Sequence, residues 1–124
     1  MKHISTGSPF EAQLGYSRAV VKGGWCFMSG VTGYDYAAMT MPDGVAAQAR
    51  ACFATISAVL AEAGFEMGDI VRVQYTLVDA ALVDAVAPVL AEVLGTIRPA
   101  ATMVIAALIR PEMKLEIEVT AFKG

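Results

Sequence analysis

The stretch from Arg98 to Lys123, RPAATMVIAALIRPEMKLEIEVTAFK, constrains the fold more than any other part of this chain. Apolar and β-branched residues dominate both of its arms, and Arg110-Pro111-Glu112 punctuates the middle, so the spacing predicts two strands joined by a turn. In the second arm Leu115, Ile117, Val119 and Ala121 alternate with Lys114, Glu116, Glu118 and Thr120, which gives one dry face and one that carries carboxylates. The first arm does not alternate. Thr102, Val104 and Ala106 lie on one side and Ala101, Met103 and Ile105 on the other, which predicts burial on both faces. A carboxylate on a strand beside a doubly buried one is a place for chemistry, although a solvated strand face has the same spacing.

At 124 residues the expectation is a single domain over 1–124, long enough for a core and too short for two. Its apolar fraction is 56%, above the usual ~45–50%, and its mean hydropathy is +0.57. No apolar run reaches the ~18 residues of a membrane span, so the excess is expected at an oligomer interface and no membrane partner is expected. Net charge is −3 and the nine lysines and arginines are scattered, which argues against a nucleic-acid footprint. Cys26 and Cys52 lack metal-like spacing and read as buried thiols. His3 stands alone near the start and reads as a surface residue. The opening Met1-Lys2-His3-Ile4-Ser5 lacks the apolar core of a signal peptide, so a cytoplasmic protein is the expectation.

Met1 to Gln13 reads as an opening strand or arm followed by a loop, broken at Gly7-Ser8-Pro9. Gly23-Gly24 reads as a hairpin turn into a buried strand, Trp25 to Gly30. The loop from Val31 to Pro42 holds Tyr34 and Tyr36 around Asp35, and these tyrosines suit either a pocket wall or a subunit seam. Asp43 is the expected cap of a first helix whose stripe is Val45, Ala49, Cys52, Phe53, Ile56, Val59, Leu60 and Ala63, stopped at Gly64. A strand from Val71 to Val78 follows. Asp79 then caps a second helix with the stripe Leu82, Val83, Val86, Leu90, Val93 and Leu94, ended by Gly95 and interrupted by Pro88. This order makes one β-sheet with two helices on a single face, and another subunit is expected to cover the other face.

Several segments resemble the Rid family (YjgF/YER057c/UK114, RidA-like). They are Gly15-Tyr16-Ser17-Arg18, Ser29-Gly30, Ala46-Ala47-Gln48-Ala49-Arg50, Arg98-Pro99-Ala100-Ala101-Thr102 and Lys114-Leu115-Glu116-Ile117-Glu118. The resemblance implies an α/β (α+β) chain, a single mixed sheet with two helices on one face, the chorismate-mutase-like Rid fold. It further implies a homotrimer with clefts between subunits. In the family's enamine and imine deaminases an arginine directly after Pro-Ala grips the substrate carboxylate, and a glutamate on the last strand orients the attacking water. Here Ala101 stands at the arginine position, which marks a divergent subgroup. Glu116 matches the catalytic glutamate, with Glu118 on the same face as the fallback.

Tyr16 matches the family's pocket tyrosine, while Gly30 and Val31 end the strand where backbone meets ligand. Met103 and Ala101 complete the expected substrate-binding set, and Arg18 is a better substitute for the missing guanidinium than Arg98, which is expected on the opposite face. With Ala101 in place, the pocket of Tyr16, Met103 and Glu116 suits a neutral or cationic small molecule. No cofactor and no metal are implied. Three readings compete: a hydrolytic deaminase of a reactive enamine or imine, a non-catalytic ligand-binding trimer, and an RNA-cleaving protein, the last opposed by the acidic charge balance.

Overall fold

The computed structural model describes all residues from Met1 to Gly124. In chain order the elements are β1 (Lys2–Ile4), α1 (Pro9–Leu14), β2 (Ala19–Lys22), β3 (Trp25–Met28), α2 (Val45–Ala63), β4 (Ile70–Leu77), α3 (Val83–Leu94), β5 (Ala100–Ile105) and β6 (Leu115–Phe122). The strands form one mixed sheet in the order β1-β2-β3-β6-β4-β5, parallel only between β4 and β5.

That order corrects the expected C-terminal hairpin. β5 and β6 do not pair, because β4 lies between them, with Tyr75 opposite Met103 on one side and Ile117 on the other. α3 is the crossover of a β4-α3-β5 unit, and such a crossover returns the chain parallel to the strand it left. The segment through Arg110-Pro111-Glu112 does turn, with Met113 N–H donating to the Arg110 carbonyl at 3.2 Å, but it carries the chain past β4 to its far side.

β6 has the predicted alternation. Leu115, Ile117, Val119 and Ala121 are buried against the helices, while Glu116 and Glu118 lie on the other face. The α2 stripe is likewise buried from Val45 to Leu60, and Gly64 ends the helix at φ 86°, where a side chain would be strained. The N-cap is Gly44 rather than Asp43, because the helix starts one residue later than its best polar cap. α2 is long and apolar enough to cross a membrane by length and composition. Yet Cys52, Ile56 and Leu60 on it are fully buried in the core, so it is a core helix and no membrane protein is indicated. α3 runs through Pro88 without a break, and Asp79 caps the 3-10 turn before it by accepting from Ala81 N–H at 2.9 Å.

Three further expectations are corrected. Pro9–Leu14 is a helix, so there are three and not two; Ser8 caps it, accepting from Phe10 N–H at 3.3 Å, and Pro9 occupies its first turn. β3 is buried on one face only. Cys26 and Met28 point inward, while Trp25 and Phe27 are 42% and 49% exposed on the face without helices. Tyr34 and Tyr36 are largely buried in this protomer's own core, and the edges left open wall concavities against α2, Tyr34 in two of them and Tyr36 in one. The Tyr36 hydroxyl accepts from Thr32 N–H at 3.0 Å, and the Tyr34 hydroxyl donates to Glu112. β5, expected to be buried on both faces, is instead exposed along its whole length in this protomer, including Met103, Val104 and Ile105, because it is the edge strand of the sheet.

Candidate functional site

Glu116 stands on β6 opposite Thr76 of β4, on the sheet face that the helices leave open. Its neighbour Ile117 exchanges two backbone hydrogen bonds with Val31, at 2.8 and 2.9 Å. That pairing lays the Ser29–Gly30 segment across the Glu116 side chain. A Cβ on Gly30 would fall 2.3 Å from Glu116 Cδ and 2.6 Å from Oε1, so only glycine lets the carboxyl rest there. Beside it opens a cleft of about 410 Å³, lined by Leu14, Tyr16, Ser29, Gly30, Ile109, Glu116 and Glu118.

The charges in this cleft are unbalanced in an informative way. Burial pushes the Glu116 carboxyl above the usual carboxylate range, the neighbouring Glu118 pushes it further, and Arg18 pulls it partly back. Burial also raises Tyr16, again opposed by Arg18. Cys52 sits behind, its thiol donating to the Val31 carbonyl at 3.3 Å. Burial and the charge of Glu116 hold that thiol protonated, so it is no nucleophile.

Arg18 is 1% exposed and belongs to the wall behind the cleft. Its guanidinium lies 5.6 Å from the Tyr16 ring centroid and 4.9 Å from that of Tyr36, and Nη1 donates to the Gly30 carbonyl at 2.7 Å. Tyr16, Arg18, Gly30, Val31 and Glu116 are therefore gathered at one place. Ala101 and Met103 are not. They lie two strands away on β5, and their register with Val73 and Tyr75 puts them on the helix side of the sheet. Ala101 lines a separate cavity of about 440 Å³ with Val73, Tyr75, Leu90, Leu94 and Arg98. The expectation that Arg98 and Ala101 face opposite ways is thus corrected: Arg98 precedes the strand, in a left-handed conformation at φ 52°, and lines the same cavity.

Sequence reasoning missed Leu14 and Ile109 at the cleft rim, and an apolar residue at a helix end or in a loop carries no signal of that role. The largest concavity, about 480 Å³ between α2 and the Gly33–Pro42 loop, has Asp35 as its one charged group and brings together no acid–base pair. No three His, Cys, Asp or Glu side chains converge as a metal-binding set.

A six-stranded mixed sheet backed by helices on one face, with a carboxylate cleft at the open face, defines a small α+β class. The match of residues 6–123 to the family model described as Endoribonuclease L-PSP then shows that the chain belongs to that family, the YjgF/UK114/RidA family. The protein Rv2704 of Mycobacterium tuberculosis, described as a member of the YjgF/YER057c/UK114 family, superposes with a TM-score of 0.90 at 36% identity, covering 98% of both chains. RidA from the Antarctic bacterium Psychrobacter sp. PAMC 21119 superposes with a TM-score of 0.89 at 28% identity, covering 99% of this chain and 100% of the other. An uncharacterised Streptomyces coelicolor protein, SCO2049, is 26% identical over 125 residues, covering 100% of this chain and 93% of its own.

Proposed function

We propose that this protein is a Rid-type hydrolase of a reactive enamine or imine, with Glu116 positioning the attacking water. The observation that carries the reading is the Glu116 carboxyl, half-buried under Gly30 at the floor of the cleft and raised above the usual carboxylate range by burial and Glu118. A carboxyl in that setting exchanges protons with water more readily near neutrality than a free one. Water adds to the C=N carbon as Glu116 takes its proton. The carboxyl then returns that proton to nitrogen, giving a carbinolamine; the carbinolamine hydroxyl proton passes by the same carboxylate to the nitrogen, the C–N bond breaks, ammonia leaves and a carbonyl remains. The step needs no cofactor or metal.

Tyr16, Gly30 and Val31 form the ligand wall on the Glu116 side. Ala101 and Met103 would join them from a neighbouring copy, since their own protomer holds them on the other side of the sheet. A homotrimer with intersubunit clefts is the assembly we propose. It would cover Trp25 and Phe27 on the open face and the exposed β5, all costly to leave in water. With Ala101 in place of a guanidinium and two carboxylates in the cleft, the preferred ligand is neutral or cationic. The unpaired, buried thiols of Cys26 and Cys52 suit a cytoplasmic location.

A second reading, a trimer that binds such a ligand without turning it over, is favoured by the same Ala101. RNA cleavage is disfavoured: Glu116 and Glu118 would repel phosphate, Arg18 is buried, and Arg50 is paired with Glu92 at 2.9 Å. The test is a coupled assay on the imine of a simple amino acid, with Ala101→Arg alongside. Turnover by the wild type, or its appearance in Ala101→Arg, supports the hydrolase. Inertness in both transfers the conclusion to the binding trimer.

A further inference from the structure

Arg18 has the largest fully buried side chain in the protein, yet the chain's one ion pair, Arg50 with Glu92, lies elsewhere. A guanidinium cannot shed its charge, so burying one without a carboxylate in contact is expensive unless something nearby uses the charge. Its contacts are few. It lies 5.6 Å from the Tyr16 ring centroid and 4.9 Å from that of Tyr36, and Nη1 donates to the Gly30 carbonyl at 2.7 Å and the Ser29 carbonyl at 3.4 Å. Nε has no hydrogen-bond partner. As filler beside two rings, a glutamine or methionine would serve with less cost. The distinctive property of arginine here is its permanent charge, and what that charge lies behind is Gly30, whose Cα rests on the Glu116 carboxyl.

We propose that Arg18 is the positioning residue of the Glu116 cleft: it fixes the Ser29–Gly30 backbone over the carboxyl and places the one positive charge behind it, without touching the ligand. The inference rests on the reading of Glu116 as the water-handling group. A base must be ionised to take a proton. The groups facing Glu116 otherwise favour its neutral form: Glu118 on the same strand adds negative charge, and Tyr16 at the rim and the Cys52 thiol from α2 are uncharged. Arg18 is the one cation among them. It also favours ionised Glu11 of α1, but Thr6 already satisfies that carboxylate with hydrogen bonds of 2.7 and 3.0 Å.

Two substitutions separate charge from shape. Arg18→Gln keeps an N–H for the Gly30 carbonyl and removes the charge. Arg18→Lys keeps the charge and removes the flat plate beside the rings. The readouts are the pH dependence of kcat/KM and a carbon NMR titration of the Glu116 carboxyl, assigned by its loss in Glu116→Gln. The expected result is an upward shift of the acid limb and of the NMR midpoint in Arg18→Gln, and an unshifted midpoint with a lower plateau in Arg18→Lys. An unshifted Glu116 midpoint in Arg18→Gln overturns the proposal. If Arg18→Gln does not fold, Arg18→Met, which removes the charge and leaves no buried polar group unpaired, takes its place: a raised Glu116 midpoint supports the role and an unshifted one overturns it. Full turnover by Glu116→Gln would instead overturn the hydrolase reading, and the NMR comparison would still report whether Arg18 sets the charge of that carboxyl.

Discussion

Gly30→Ala separates the stability of the fold from the precision of the site. The new Cβ would sit 2.3 Å from Glu116 Cδ, 2.6 Å from Oε1 and 2.7 Å from Cγ. An ordinary contact is at least ~3.4 Å, so the carboxyl must retreat by roughly 1 Å, a misplacement that typically costs ~10²-fold in rate. That is about 2.7 kcal/mol of transition-state stabilisation. The fold should hardly notice, because the atoms that give way are the end of a flexible side chain in an open cleft and Gly30 has no left-handed φ. Stability should stay within about 1 kcal/mol, a few degrees in Tm for a chain of this size. Gly33→Ala is the control. Its Cβ would lie 2.9 Å from Gln48 Cα and Cβ, which α2 fixes, so its cost should appear in Tm. The assay is steady-state turnover of an imine with thermal melts of the same samples. Wild-type kcat in Gly30→Ala would show that the position of the Glu116 carboxyl does not govern the rate.

Gln48→Leu should lower stability by roughly 3 kcal/mol, at about 1 kcal/mol per lost hydrogen bond. Gln48 is fully buried and bonds the carbonyls of Pro42 and Glu112 and the Lys114 N–H; a calorimetric melt measures the loss. Trp25→Asp puts a charge on the open apolar face beside Phe27 and Phe122, and size-exclusion chromatography with light scattering should show a trimer in the wild type and smaller species in the variant. Glu11 supplies the pH test. Burial pushes its pKa up, but the Thr6 and Ser5 hydroxyls, the Thr6 N–H and Arg18 push harder, so it is lowered on folding. A lowered carboxylate contributes stability that is present above its unfolded pKa and lost as pH falls through the folded one. Glu11→Gln should therefore flatten the fall in Tm on the acid side of the ordinary carboxylate range.

What could be read from the sequence was set by how local each cause is. The β6 alternation and the α2 stripe were legible because each element has one face on a single core, which imposes periods of 2 and 3.6 directly on the residues. The β5–β6 hairpin was misread because nearness in sequence suggests pairing, whereas the partner of β5 is chosen by the handedness of the α3 crossover. α1 is too short for a periodic stripe, and Ser8-Pro9 with Glu11 in the first turn was its one available sign. The site divides in the same way. Tyr16, Gly30 and Glu116 came from family resemblance, and the structure gathers them. The burial of Arg18 could not be read, because arginine is almost never fully buried and its burial needs Tyr36, remote in the chain, as well as its near neighbour Tyr16. Ala101 and Met103 lie apart from Glu116 in one protomer, and no sequence pattern states which side of an edge strand a neighbour will use.

The most direct test of the account is the turnover of an amino-acid-derived imine by wild type and by Glu116→Gln, each with a melting curve. The account predicts that Glu116→Gln keeps a wild-type or slightly higher Tm at neutral pH, since it removes a half-buried carboxylate whose ionisation burial and Glu118 oppose, and that turnover falls to the uncatalysed level. Undiminished turnover in a folded Glu116→Gln protein would contradict it and move the chemistry, if any, out of this cleft.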